Sequence, residues 1–148
     1  MSWMTVNRVS PKEADQLVRE HGYLYLDVRS IPEFEVAHPA GAYNVPLLHA
    51  TSSGMTPNPD FMRVVESVFP KETKLVLGCR TGNRSLAAAR AMVEAGFRNV
   101  VDQRAGLDGT RNAFGQTLEP GWEAEGLEVS TDPDPDKTYE ALFARAGR

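Results

Sequence analysis

The chain has 148 residues, 41% hydrophobic and 24% charged, with a formal net charge of −4; these values fit one soluble globular domain large enough to bury a core. The acidic balance argues against nucleic acid as the main partner, and no apolar run approaches the ~18 residues needed to span a membrane. With a single cysteine no intramolecular disulfide can form, and the opening MSWMTVNRVS has neither the basic nor the apolar stretch of a signal peptide, so a free thiol in the cytoplasm is expected.

Val6–Val9 predicts a short first strand. Ser10 then supplies an N-cap and Pro11 the first helical position, Ala14, Leu17 and Val18 recur at helical spacing, and Gly22 closes that helix. Tyr23–Val28 reads as a second strand, Pro32–Ala37 as a short helix and Ala42–Val45 as a third strand. Leu47–Pro59, rich in Ser, Thr, Pro and Gly, predicts a loop. Asn58 or Asp60 can cap the next helix, whose apolar face is Phe61, Val64, Val65 and Val68. Lys74–Gly78 is a buried strand, Leu86–Ala95 a buried helix ended by Gly96, and Asn99–Gln103 the last strand. Strands alternating with helices predict an α/β fold with a largely parallel sheet, whose sites lie at the carboxyl ends of the strands. Residues 1–129 form the expected domain, followed by 130–148, an acidic proline-broken linker and a short helix. That helix, with Tyr139, Leu142, Phe143 and Ala146 at helical spacing, can dock on the body or on a second subunit, so monomer and homodimer both stand.

Chemistry concentrates in KLVLGCRTGNRS, residues 74–85. The strand delivers Cys79 to a polar loop, Arg80-Thr81-Gly82-Asn83-Arg84, and Ser85 opens the next helix. Unpaired N–H groups at a helix start, the helix dipole and two arginines all favour a thiolate, the nucleophilic form. A lone cysteine is otherwise an inert small hydrophobe; the glycine before it and the arginines and glycine after it favour the nucleophile.

This stretch resembles the active-site loop of the rhodanese family of sulfurtransferases. Upstream, Leu26-Asp27-Val28-Arg29, Glu33-Phe34, His38, Gly41-Ala42, Asn44 and Pro46 resemble a second motif of that family, about fifty residues earlier and in the expected order. The resemblance covers roughly Asn7 to Val129. It implies a rhodanese-like fold, a central sheet flanked by helices on both faces, with Cys79 as the catalytic residue and Arg80, Thr81, Gly82, Asn83, Arg84 and Ser85 as the substrate-binding loop. Asp27 and Arg29 are supporting residues, expected to pair with loop backbone or with Glu33 rather than to take part in catalysis. His38 could serve as a general base, but the resemblance makes it a hydrogen-bonding structural residue. His21, His38, His49 and Cys79 show no metal-ligand spacing, so neither a metal nor an organic cofactor is expected.

The chain departs from the family after its last strand. Ala105-Gly106 stands where a Gly-Gly pair is usual, and the tryptophan that normally follows closely is delayed to Trp122. Residues 107–121 therefore read as an enlarged loop, with Arg104 and Arg111 as possible acceptor contacts. The spacing bears on the chemistry as well. Four residues separate Cys79 from Arg84, whereas the related tyrosine and dual-specificity phosphatases need five, so this loop suits a sulfur atom better than a phosphate. The expected reaction moves a sulfane sulfur from thiosulfate or a persulfide donor to a thiol or cyanide through a Cys79 persulfide. Arg80 and Arg84 would attract the small anionic donor, and the acceptor, a small molecule or a protein, must come from outside because no resolving cysteine exists. Two other readings stand beside it: a non-enzymatic persulfide carrier or redox-sensing module, and, more weakly, an arsenate reductase or phosphatase on the same fold.

Overall fold

The computed structural model describes residues 5–147. In chain order its elements are β1 (Asn7–Val9), α1 (Pro11–Glu20), β2 (Leu24–Asp27), α2 (Ile31–Val36), β3 (His38–Pro39), β4 (Tyr43–Asn44), β5 (Leu48–Thr51), β6 (Gly54–Pro57), α3 (Phe61–Val68), β7 (Lys74–Gly78), α4 (Asn83–Glu94), β8 (Asn99–Gln103), β9 (Thr110–Arg111), β10 (Thr117–Glu119), β11 (Val129–Ser130) and α5 (Tyr139–Ala146). Local sequence explains the helix starts. Ser10 with Glu13, and Ser30 with Glu33, form capping boxes that satisfy backbone donors at the starts of α1 and α2.

The central sheet runs β1-β8-β7-β2-β4, with every pairing parallel. Such a sheet is covered on both faces, so alternate residues enter different cores. On β7, Leu75 and Leu77 join a core with Val64 and Val65 of α3, Ala88, Ala89 and Met92 of α4, and Leu142 of α5. Val76 points the other way, to Tyr25, Ala14 of α1, Phe34 of α2 and Trp122. This is the expected α/β architecture. Asp27 at the end of β2 is in register with Gly78 at the end of β7, which brings the two sequence motifs side by side at one sheet edge.

Two stretches differ from expectation, and one choice left open is decided. Leu47–Pro59 contains the antiparallel hairpin β5–β6, in register from Leu48↔Pro57 to Thr51↔Gly54; its largely exposed strands show no clear apolar alternation. The 107–121 loop is also a hairpin, β9–β10. Its turn is closed by Asn112, whose Oδ1 accepts the N–H groups of Phe114 at 2.9 Å and Gln116 at 3.1 Å. Of the two cap candidates, Asp60 is the N-cap of α3 without a side-chain capping bond. Asn58 is buried and accepts the Asp60 N–H at 3.0 Å while donating to the Pro46 carbonyl at 2.9 Å.

A boundary at residue 129 is not visible in the structure. β11 pairs antiparallel with β3 across that position, and α5 packs on α3 with Leu142 fully buried in the first core. The tail helix docks on the body. Leu142→Ala is expected to cost about 2–5 kcal/mol, as for other leucines in full burial, measured by urea denaturation followed by circular dichroism. A single transition shifted to lower urea fits one folded unit; an unchanged midpoint would mean that α5 adds nothing to the core.

Candidate active site

Cys79 follows the last residue of β7 and is 3% exposed. The chain passes through Arg80 and Thr81 to Gly82, the N-cap of α4, which takes a left-handed φ of 100°. That conformation suits glycine, and a Cβ there would collide with the Arg104 carbonyl oxygen. The turn aims the Gly82 N–H at the Cys79 sulfur, 3.1 Å away. The Ser85 N–H reaches the same sulfur at 3.3 Å, and the Ser85 hydroxyl oxygen lies 3.4 Å from it. Two backbone donors at a helix N-terminus thus converge on one sulfur, an arrangement that favours negative charge there.

The helix begins at Asn83, earlier than the expected Leu86. Asn83 and Arg84 therefore belong to its first turn, and the loop proper is shorter than the sequence suggested. Thr81 and Asn83 are exposed, while Gly82 and Ser85 are buried. From β8, the following turn grips the loop. Leu107 N–H donates to the Cys79 carbonyl at 2.8 Å and Asp108 N–H to the Arg80 carbonyl at 2.9 Å. Gly106 crosses so closely, at φ 69°, that a Cβ would strike the Arg80 carbonyl. The Gln103 side chain fixes this turn: Oε1 accepts the N–H groups of Ala105 and Gly106 at 2.9 Å each, and Nε2 donates to the Gly106 carbonyl at 3.0 Å and to the Tyr25 hydroxyl at 3.3 Å.

The two loop arginines are not free charges. Arg80 donates to Asp108 at 2.6 Å, and Arg84 makes a two-pronged pair with Glu33 at 2.7 and 3.0 Å. The expectation that both attract an anionic donor meets two carboxylates already in place, and Arg84 ties α4 to α2. Burial pushes the Glu33 carboxyl up, but hydrogen bonds from Arg84 and Ser30 outweigh it and bring it down to about 2. Asp27 and Arg29 pair with each other rather than with Glu33. The Arg29 guanidinium spans both Asp27 oxygens at 2.7–3.0 Å and donates to the Ala37 carbonyl at 2.6 Å, with both side chains buried. Asn44 donates to the carbonyls of Asp27 and Arg29 at 3.0 Å each. His38 is buried, stacked on Phe34, with Nδ1 2.8 Å from the Phe34 carbonyl oxygen.

Two depressions flank the Arg80–Asp108 pair. One of about 580 Å³ is lined by Arg80, Thr81, Asn83, Asp108, Gly109, Thr110 and Arg111, the other of about 370 Å³ by residues including Arg29, Glu33, Val36 and Leu107. Cys79 lines neither directly. Arg111 is exposed on the hairpin and borders the larger one, its nearest side-chain partner being Thr117 Oγ1 at 3.5 Å. Arg104 is engaged elsewhere. It forms a two-pronged pair with Glu119 at 2.9 Å and donates to the Arg8 carbonyl, so it anchors the hairpin to the sheet edge and does not border that depression.

A parallel α/β sheet whose strand β7 delivers a buried cysteine to the start of a helix defines the class of fold. Residues 10–113 match the model of the rhodanese-like domain, and the chain belongs to that family. It is 41% identical over 96 residues to the senescence-associated protein DIN1 of Raphanus sativus, covering 65% of this chain and 52% of the relative. It is 43% identical over 81 residues to thiosulfate sulfurtransferase 16, chloroplastic, of Arabidopsis thaliana, covering 55% of this chain and 68% of the relative. The chain thus spans about half the length of the Raphanus protein. Among solved structures, Rv0390 from M. tuberculosis superposes with a TM-score of 0.70 at 27% identity, covering 86% of this chain and 98% of that one.

Glu33 gives a pH signature. Its folded carboxyl titrates near about 2 against an ordinary value of 4.5, so the pair's stabilisation is present above the ordinary value and is lost as pH falls towards the folded one. Glu33→Gln is expected to lower Tm by about 2–4 °C at about pH 7. The gap between variant and wild type should close in acid below the ordinary carboxylate range. A gap independent of pH would mean that Glu33 acts through packing alone.

Proposed function

We propose that the protein is a sulfurtransferase in which Cys79 carries a sulfane sulfur. The thiolate attacks the outer sulfur of thiosulfate or a persulfide; a new S–S bond forms at Cys79, the old one breaks, and sulfite or a thiolate leaves with the electron pair. An external thiolate or cyanide then attacks the bound sulfur and regenerates the Cys79 thiolate, so covalent catalysis proceeds by two displacements. The observation that carries this reading is the convergence of the Gly82 and Ser85 N–H groups on the Cys79 sulfur. The relative named thiosulfate sulfurtransferase 16 supports it. A phosphatase reading is weakened because the position such an enzyme gives to its arginine is Ser85, a buried residue with no cationic side chain.

One observation favours the carrier or redox-sensing alternative: the sulfur is nearly enclosed and both loop arginines are paired, which limits capture of small donors. Mass spectrometry after incubation with thiosulfate separates the readings. One added sulfur on Cys79, lost in Cys79→Ser, together with turnover to cyanide, is the expected result. A persulfide supplied only by a protein donor, without thiosulfate turnover, selects the carrier.

The β9–β10 hairpin is proposed to select the acceptor, with Arg111 contacting an anionic thiol in the larger depression. Arg111→Ala is expected to leave persulfide formation from thiosulfate nearly unchanged. It should slow discharge to an anionic thiol several-fold relative to cyanide, the size of one screened charge contact. Unchanged relative rates in stopped-flow discharge assays would reduce Arg111 to a surface residue.

A further inference from the structure

Behind the Cys79 loop lies a charged pair, Asp102 and Arg8, that no local sequence signal marks. Asp102 sits on β8, a central strand, in register with Arg8 on β1 and with Leu77 on β7. Its side chain is fully buried, with Oδ2 accepting from Arg8 Nε at 2.7 Å and Oδ1 having no hydrogen-bond partner among the described residues. Burial pushes the Asp102 carboxyl up, and Arg8 offsets this only in part. A buried carboxylate left half-satisfied is costly, so the position calls for an explanation beyond packing.

The Arg8 guanidinium supplies a geometric one. While Nε holds Asp102, Nη2 donates to the Gly82 carbonyl at 3.3 Å. The Ser85 hydroxyl donates to that carbonyl as well, at 3.3 Å. Gly82 is the residue whose N–H reaches the sulfur. A peptide carbonyl held from behind by two donors fixes the direction of the loop, and the direction of the loop sets where the N–H groups point. Arg8 is itself partly exposed on an edge strand, and its ion pair with Asp102 is what keeps the guanidinium in this orientation.

We infer that Asp102 and Arg8 are positioning residues for Cys79: the pair braces the Gly82 turn so that its N–H and that of Ser85 stay aimed at the sulfur. The inference rests on the reading of Cys79 as the nucleophile, and it acts on the reactivity of the sulfur rather than on donor binding.

The test is the rate of Cys79 alkylation by neutral iodoacetamide, which reads the sulfur whether or not the protein transfers sulfur. Charge and geometry predict opposite signs for Asp102→Asn. Removal of a buried negative charge near a sulfur anion speeds alkylation, whereas a loosened brace slows it. The expected result is a decrease of about ten-fold, below the cost of deleting an oriented donor outright; an unchanged or faster rate overturns the brace. Should Asp102→Asn fail to fold, Arg8→Lys decides. Lysine keeps the positive charge beside Asp102, but its single ammonium lacks the fork that spans Asp102 and the Gly82 carbonyl. A comparable decrease with Tm held within a few degrees supports the brace, and a wild-type rate overturns it. In wild type and variants, persulfide formation from thiosulfate adds a second reading. The maximal rate should fall with KM unchanged, and the reverse pattern overturns the inference. Absence of any persulfide in the wild type would sink the sulfurtransferase reading while the alkylation rates still decide the brace.

Discussion

The Cys79 loop depends on one short contact, the Gly82 N–H at 3.1 Å from the Cys79 sulfur. It exists only because Gly82 adopts a left-handed conformation against the Arg104 carbonyl, where a side chain would not fit. Helix α4 starts from this residue, so a single backbone conformation both ends the loop and points the helix N-terminus at the thiol. The surrounding layers hold that turn from several sides. The carbonyls of Cys79 and Arg80 are taken by backbone donors after β8, and the Gly82 carbonyl by Arg8 and Ser85.

The electrostatics of the site are quieter than its composition. Two arginines beside a cysteine read as a cationic funnel, but each is paired with a carboxylate from another part of the chain. The pairs serve different ends. Arg84–Glu33 is half-buried and links α4 to α2, so it contributes to the placement of the helix start. Arg80–Asp108 is exposed, worth little as a stabilising pair, and stands between the two depressions at the mouth of the site. What remains to favour an anion at the sulfur is backbone: oriented N–H groups that need no mobile charge.

The β9–β10 hairpin is closed at its base beside the Cys79 loop. The chain leaves the sheet edge after Gly106, and Trp122 returns to it, its N–H donating to the Gly106 carbonyl at 2.9 Å. Trp122 then packs edge-on against Tyr25 with ring centroids 5.2 Å apart, in the second core. Because the two ends of this segment meet, its length can vary at small entropic cost. Arg104–Glu119 keeps the hairpin close to the sheet edge.

Local sequence by itself determined the order of the helices and of the central-sheet strands, the starts of α1 and α2, and the position of Cys79 at the end of β7. These follow from near-neighbour physics: alternation of apolar residues, capping side chains, and glycine where the backbone must turn. Tertiary structure decided the rest, because the partners are distant in the chain. Nothing near Arg84 marks Glu33, 51 residues away, as its partner, and nothing near Asp102 marks Arg8, 94 residues away. Both hairpins escaped a reading by periodicity since short, exposed strands bury too little to impose an apolar pattern. The helix start moved from after Ser85 to Asn83 because the left-handed Gly82, held by Arg8 and crowded by Arg104, sets it, and that contact exists only once β1 and β8 lie side by side.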